Sequence, residues 1–445
     1  MAAALVLVLG PGAGGATAPA LLVAASCLGL GPAALAAQEI VTVAAPTGPS
    51  DVQYAEPHFA TNPEDPDQVV LGAIAVEPDT DWTVRAFRSA DGGMTWRRTE
   101  LPATGELRCF GDPWVTWGAG ETVYLVCLTQ RPIPGEDDWN AAVLLYRSDD
   151  AGATWREPLL APDDDVRGSW DHAIGRLTPE GDVLVAGTRS RVGPDGFGFA
   201  RYRPAAHAFE PLRSYLPPEQ VNDNFGAAVP LSEGRIAFTY FTMRSGGPRP
   251  MYAVRLTSDA EERTRLRDHV TPWGFPMLAG GVFPSGDSPR LYAVWLEDGE
   301  VGGLDVWLAW SGDEGRTWSD PRLVNDPSVV AFRARPQVAV SEEAVAVTWY
   351  DTRHAESPGN PQPCGDVYVR RLELDGSPAS PEVRATRSGR CPNDGDPAGV
   401  RERWRAGGDY AALELRGAVV DLSWAEPGPT GHRIRFARVR VPAGS

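Results

Sequence analysis

An eight-residue phrase occurs three times in this chain: Ser89-Ala-Asp91-Gly-Gly93-Met-Thr95-Trp96, Ser148-Asp-Asp150-Ala-Gly152-Ala-Thr154-Trp155 and Ser311-Gly-Asp313-Glu-Gly315-Arg-Thr317-Trp318. The first two copies stand 59 residues apart and the last two 163, or three steps of about 54. Copies in phase with one period make this a repeat protein. Each phrase lies between strand-like runs, such as Val84–Phe87 before the first and Ala142–Tyr146 before the second. Asp and Gly at its centre are turn formers, so the phrase reads as the hairpin between the third and fourth strands of a unit.

Two further strands precede each phrase; in the second unit they are Pro113–Trp117 and Thr122–Val126. The same layout returns without the phrase, with units beginning near Pro57, Asp112, Asp171, Asp223, Phe275, Arg335 and Asp409. Four antiparallel strands in each unit of roughly 50 residues predict an all-β fold, a β-propeller. Seven blades are counted, six if one unit is miscounted. The last unit shows three strands, and Ile40–Val43 is placed to supply its outer strand and close the ring. A composition of 48 Gly, 41 Pro and 15 Trp suits many turns and packed aromatic strands better than long helices.

Residues 1–37 carry no charge and end in Ala34-Leu35-Ala36, a small-x-small cleavage pattern. They are expected to be a signal peptide, with 38–445 a single propeller domain and the product secreted or extracytoplasmic. Ala24-Ala25-Ser26-Cys27 leaves open a lipoprotein anchor at Cys27, and Pro11, Pro19 and Pro32 argue against a membrane span. Cys109, Cys127, Cys364 and Cys391 would then remain, an even number in an exported chain. Three pairings are possible; reflecting the hairpins about their turns places Cys109 near Cys127 and Cys364 near Cys391. A net charge of −18 excludes nucleic acid as the expected partner. All 41 basic residues are Arg, which removes lysine chemistry. No spacing suits a metal and none a cofactor, and a monomer is expected.

Because strands alternate in direction, the starts of first strands share a face with the ends of second strands, opposite the repeated turns. That face collects Glu56, His58, Asp112, Asp171, His172, Asp223, Arg335, Asp409 and Tyr410 from first strands, and Arg131, Arg189, Arg191, Arg244, Asp351, Arg353 and Glu426 from second strands. Carboxylates and arginines converging on one depression suit a polar glycan: Arg reads a carboxylate through two bonds, and Asp accepts from hydroxyls.

The phrase is that of the Asp-box, or BNR repeat, and the chain resembles the sialidase-like β-propellers over about residues 40–441. In that family the phrase is a turn staple away from the active site. The resemblance implies an exo-acting glycoside hydrolase for sialic acid or other acidic glycans. It would carry a Tyr nucleophile, an assisting Glu, an Asp acid and three arginines on the substrate carboxylate. Tyr410 and Glu426 take the first two roles, Asp112 or Asp171 the third. Arg335, Arg353 and Arg244 or Arg189 form the triad, with Asp223, Asp351 and Asp409 on the hydroxyls. Where the family carries Phe/Tyr-Arg-Ile-Pro this chain reads Glu56-Pro57-His58-Phe59, so Arg335 stands in from another blade. The alternative is a noncatalytic propeller that binds glycan or protein at the cell surface, and a third reading is a lyase or hydrolase for another acidic polysaccharide.

Overall fold

Apolar runs such as Val69-Val70-Leu71 and Val123–Leu128 are buried along their whole length, as in a strand covered on both faces. A sheet covered on both sides needs neighbours on both sides, and a ring of sheets supplies them. The computed structural model describes residues 40–44, 52–76, 82–163, 168–191, 193–218, 223–242, 248–271, 274–281, 290–355, 358–359, 365–386, 408–428 and 431–441. They form seven antiparallel sheets, a seven-bladed β-propeller.

Blade 1 comprises Gln53–Thr61, Gln68–Val76, Thr83–Ala90 and Arg97–Thr99; blade 2 comprises Cys109–Trp117, Val123–Pro132, Trp139–Ser148 and Leu159–Leu160. Blade 3 runs Ser169–Leu177, Val183–Arg191 and Gly193–Arg203, with Ala208–Phe209 and Arg213–Tyr215 sharing its rim. Blade 4 is Asp223–Pro230, Ile236–Thr242, Met251–Leu256 and Glu261–Arg267; blade 5 is Met277–Gly281, Arg290–Asp298, Leu304–Ser311 and Arg322–Leu323. Blade 6 is Arg333–Val340, Val345–Asp351, Asp366–Leu372 and Val383–Arg384. Blade 7 takes Ala412–Arg416, Val419–Gly428 and Gly431–Arg440 from the end of the chain and Ile40–Ala44 from its beginning, paired Ile40 to Ala437. The expected closure by Ile40–Val43 is therefore observed, and it covers the edge that Gly431–Arg440 would otherwise leave open.

Aromatic packing seals the seam between blades 7 and 1, where the Phe436 ring lies 5.3 Å from Phe59 and 5.4 Å from Trp96. One apolar cluster runs through blades 2 to 6, from Trp114 to Leu372. Each buried aromatic of this kind contributes roughly 1.5–3 kcal/mol.

The repeated phrase is one hydrogen-bonded turn made three times. In each, the Ser hydroxyl donates to the Asp carboxylate (2.7 Å at Ser89, 2.8 Å at Ser148 and Ser311) and accepts the Gly N–H two residues after the Asp. The Asp then accepts both the N–H and the hydroxyl of the Thr, the latter at 2.6 Å in all three. That Gly has a φ of +89°, +76° and +88° in turn, a conformation L side chains rarely adopt. The turns pack on the ends of inner hairpins, as when Gly92 N–H donates to the Asp67 carbonyl. They therefore lie on the face where inner strands end.

Cys109 and Cys127 are joined across the first two strands of blade 2, with Cα atoms 5.6 Å apart. The bridge closes a short loop and stabilises by about 3 kcal/mol in the chain-entropy account. Cys27, Cys364 and Cys391 lie outside the described residues, as does the expected signal peptide. Among the described residues no helix is long and apolar enough to cross a membrane.

Candidate functional site at the start of the inner strands

Five inner strands break register at the same place: between Ala55 and His58, Gly111 and Trp114, Asp171 and Ile174, Phe225 and Ala228, and Ala334 and Gln337. A β-bulge inserts residues there and re-aims a side chain. Glu56, Asp112, His172 and Arg335 occupy that position with φ of 49°, 48°, 52° and 53°. Four non-glycine residues in the left-handed region, one per blade at one structural position, mark a strained and shared feature rather than chance.

The rings of His172 and Phe275 stand 4.1 Å apart, His172 and Tyr410 4.8 Å, and Phe275 and Tyr410 6.0 Å. These residues belong to the inner segments of blades 3, 5 and 7, which are not neighbours in the ring. Their side chains meet only at the axis, so they plug the central channel near the face opposite the repeated turns.

Carboxylates surround the plug. Asp112 of blade 2 and Asp171 of blade 3 both accept the His172 N–H, at 2.8 and 3.0 Å. Glu56 of blade 1 accepts the Asp409 N–H at 2.9 Å. Gly408 is needed there: its φ is +108°, and a Cβ on it would lie 2.1 Å from the Glu56 side chain. Asp171 and Asp409 are exposed, Asp112 is half-buried and Glu56 is buried. Burial, then Asp171, with Asp409 adding, pushes Asp112 up to about 8. Burial, then Asp112 and Asp409, holds Glu56 well above the usual carboxylate range. Arg335 is the cation that offsets this on Glu56; its guanidinium lies 5.3 Å from the Tyr350 ring centroid. Burial, followed by the same carboxylates, raises the Tyr410 phenol well above its ordinary value. Burial lowers His172 to about 3, so its imidazole is neutral.

Of the residues anticipated from sequence, Asp112, Asp171, Asp409, Tyr410 and Arg335 thus come together. Glu426 is held on its own blade by Arg433 (3.0 Å), Arg435 (2.6 Å) and Trp424 (3.2 Å). Arg189 is buried against Trp170 and paired with Asp163. Arg353 grips Asp351 through two bonds and Glu382 through a third, and Asp351 also binds Arg333. Arg189 and Arg353 therefore sit in separate ion-pair networks. Arg244 and the side chains of Arg191 and Asp223 lie outside the described residues. Among the described residues no group of acidic, His or Cys side chains is arranged to hold a metal ion.

Glu56, His172 and Phe275 received no role from the sequence. A signal was present: Glu56-Pro57, Asp112-Pro113, Phe275-Pro276 and Arg335-Pro336 repeat an X-Pro step at one position of four blades. Proline inside a sheet is confined to edges and bulges, so the step locates the bulge.

No family model and no curated protein sequence matches the chain. Among solved structures it is similar to the polysaccharide lyase Uly1, at 10% identity over 86% of this chain and 89% of that one, with a TM-score of 0.51. It is also similar to the Hadza microbial sialidase Hz136, at 14% identity over 87% of this chain and 66% of that one, with a TM-score of 0.47. A third likeness is to an α-L-arabinanase of Penicillium chrysogenum, at 16% identity over 76% and 98%, with a TM-score of 0.47. At these identities the likeness shows the fold alone.

Proposed function

We propose that this protein is a glycoside hydrolase in which Asp112 is the general acid and Asp171 the second carboxylate. The observation that carries the reading is their shared contact with the His172 N–H. Two oxygens on one donor stand within about 6 Å of each other, near the separation at which one carboxyl group protonates the leaving oxygen and the other attacks the anomeric carbon. Asp112, held up at about 8, has a proton to give at neutral pH. Asp171 is exposed at the mouth. Tyr410 forms a wall of the site: it is 9% exposed, packed on His172 and Phe275, and its phenol resists ionisation.

The mouth sets Glu56, Asp112, Asp171 and Asp409 against Arg335, which favours an uncharged sugar at the cleavage point. A sialoside or other acidic glycan is the second reading, and Arg335 is the residue that supports it. The buried Cys109–Cys127 bridge suits an exported enzyme, free or anchored at Cys27.

The test is hydrolysis of a panel of neutral aryl pentosides and hexosides, uronides and an α-sialoside by the full chain. Product configuration is followed by NMR. Turnover of a neutral glycoside with retention is expected, and Asp112→Asn and Asp171→Asn should each lower kcat at least about 100-fold. Turnover of the sialoside alone, lost with Arg335→Met, would replace the neutral-sugar reading. Wild-type binding of a glycan without any turnover would make the protein a noncatalytic receptor.

A further inference from the structure

Beyond the plug, the channel opens into a cavity of about 500 Å³ lined by the inner strands of all seven blades, including His58, Trp114, Arg176, Gln337 and Glu414. Arg176 and Glu414 lie four residues beyond His172 and Tyr410 on their strands, or about 13 Å further along the axis. The cavity therefore belongs to the face of the repeated turns and is separate from the acidic mouth.

Arg176 differs from four other described arginines that are held within the protein. Arg189, Arg255, Arg333 and Arg353 are each paired with a carboxylate. The guanidinium of Arg176 lies 4.9 Å from the Trp114 ring centroid and makes no ion pair or side-chain hydrogen bond among the described residues. Its Nε and the indole Nε1 of Trp114 are buried without a partner. His58 stacks on Trp114 at 3.8 Å and accepts the Val115 N–H through Nδ1 at 3.2 Å, which leaves Nε2 to carry its proton as a donor. Across the channel Glu414 accepts the Thr61 N–H at 3.0 Å.

We propose that this cavity is a second binding site, for a small monocarboxylate whose carboxylate is gripped by Arg176 and whose carbon body lies along Trp114. The planar guanidinium fork matches a carboxylate through two parallel bonds. Of the two arginines that line the cavity among the described residues, Arg416 is paired with Asp421, and Arg176 facing Glu414 suits a single negative charge better than a phosphate dianion.

The groups facing Glu414 are Thr61 from blade 1, Asp421 and Arg416 from its own blade, and Arg176 across the channel. Burial, with Asp421 adding, raises Glu414 to about 7. His58 is held neutral by burial and by Arg176. Glu414 is therefore the group that changes charge near neutrality, and its protonation as pH falls removes the anion that opposes the ligand.

The experiment is calorimetric titration of the full chain with lactate and with acetate at pH 6 and pH 8, with phosphate as the dianion control. Saturable binding of lactate is expected, about tenfold tighter at pH 6, with phosphate silent. Arg176→Met should weaken it at least tenfold, and Glu414→Gln should keep binding while erasing the pH difference. Asp112→Asn should leave lactate affinity unchanged, which separates this site from the acidic mouth. If Arg176→Met fails to fold, Glu414→Gln decides alone. No saturable binding, phosphate binding in preference to lactate, a pH difference that survives Glu414→Gln, or loss of binding in Asp112→Asn would each overturn the proposal.

Discussion

At Asp112, burial and two neighbouring carboxylates push in one direction, so folding favours its protonated form. The folded state then holds a proton that the unfolded chain has released between its ordinary carboxylate value and about 8. Stability falls across that window as pH rises, and levels off above it. Asp112→Asn should remove the slope: a thermal melt at pH 8 should show the variant more stable than wild type, with the difference shrinking toward pH 4. The same substitution removes the proposed proton donor. A residue whose loss raises stability and lowers rate is tuned for chemistry rather than for packing. The rate of the wild type should decline on the alkaline side near pH 8, where Asp112 ionises. A profile without that limb would remove Asp112 from the acid role.

The repeated turn is the element whose local chemistry is most complete. Its Asp accepts from Ser and Thr hydroxyls and a backbone N–H, and at Asp91 the Thr95 hydroxyl bond is the first cause of a carboxyl held below its ordinary value. Asp150→Ala should cost about 1–2 kcal/mol, because it leaves the Ser148 and Thr154 groups and the turn N–H without their acceptor. The stability contributed by the ionised Asp is present above its unfolded value and lost as pH falls through the lower folded one. The glycosidase activity proposed for the acidic mouth should be unchanged, since the turns lie on the opposite face. Loss of rate without loss of stability in Asp150→Ala would contradict that separation of faces. The inner-strand bulge is the complementary element: it costs backbone strain and, in return, turns Glu56, Asp112, His172 and Arg335 to one level of the channel.

For the whole molecule, ring closure is the property that no single blade possesses. Ile40–Ala44 pairs with Gly431–Arg440, and the Arg435 side chain also reaches Thr42. Deleting residues 38–44 should lower the melting temperature by about 5 °C or more and expose a sheet edge. Light scattering should then show concentration-dependent association that the full chain lacks. A deletion variant as stable and as monodisperse as the parent would mean that the seam is held by Phe59, Trp96 and Phe436 alone.

Fold, blade number, strand order, ring closure and one disulfide were legible in the sequence. Each depends on local turn chemistry repeated at a fixed period, and repetition makes a local signal global. The face of the candidate site was legible too, because strand direction alone sorts residues to the two ends of the ring. Which members of that face meet was decided by tertiary structure. Sequence treats Arg189, Arg335 and Arg353 alike, yet Arg189 pairs with Asp163 and Arg353 with Asp351 and Glu382, whereas Arg335 acts on Glu56 of the acidic mouth. His172, Phe275 and Tyr410 touch only because three non-adjacent blades converge on one axis. The raised Asp112 pKa is partly of the same origin: Asp171 stands one repeat away on the adjacent blade, but Asp409 from blade 7 and the burial at the axis reach Asp112 only once the ring is assembled.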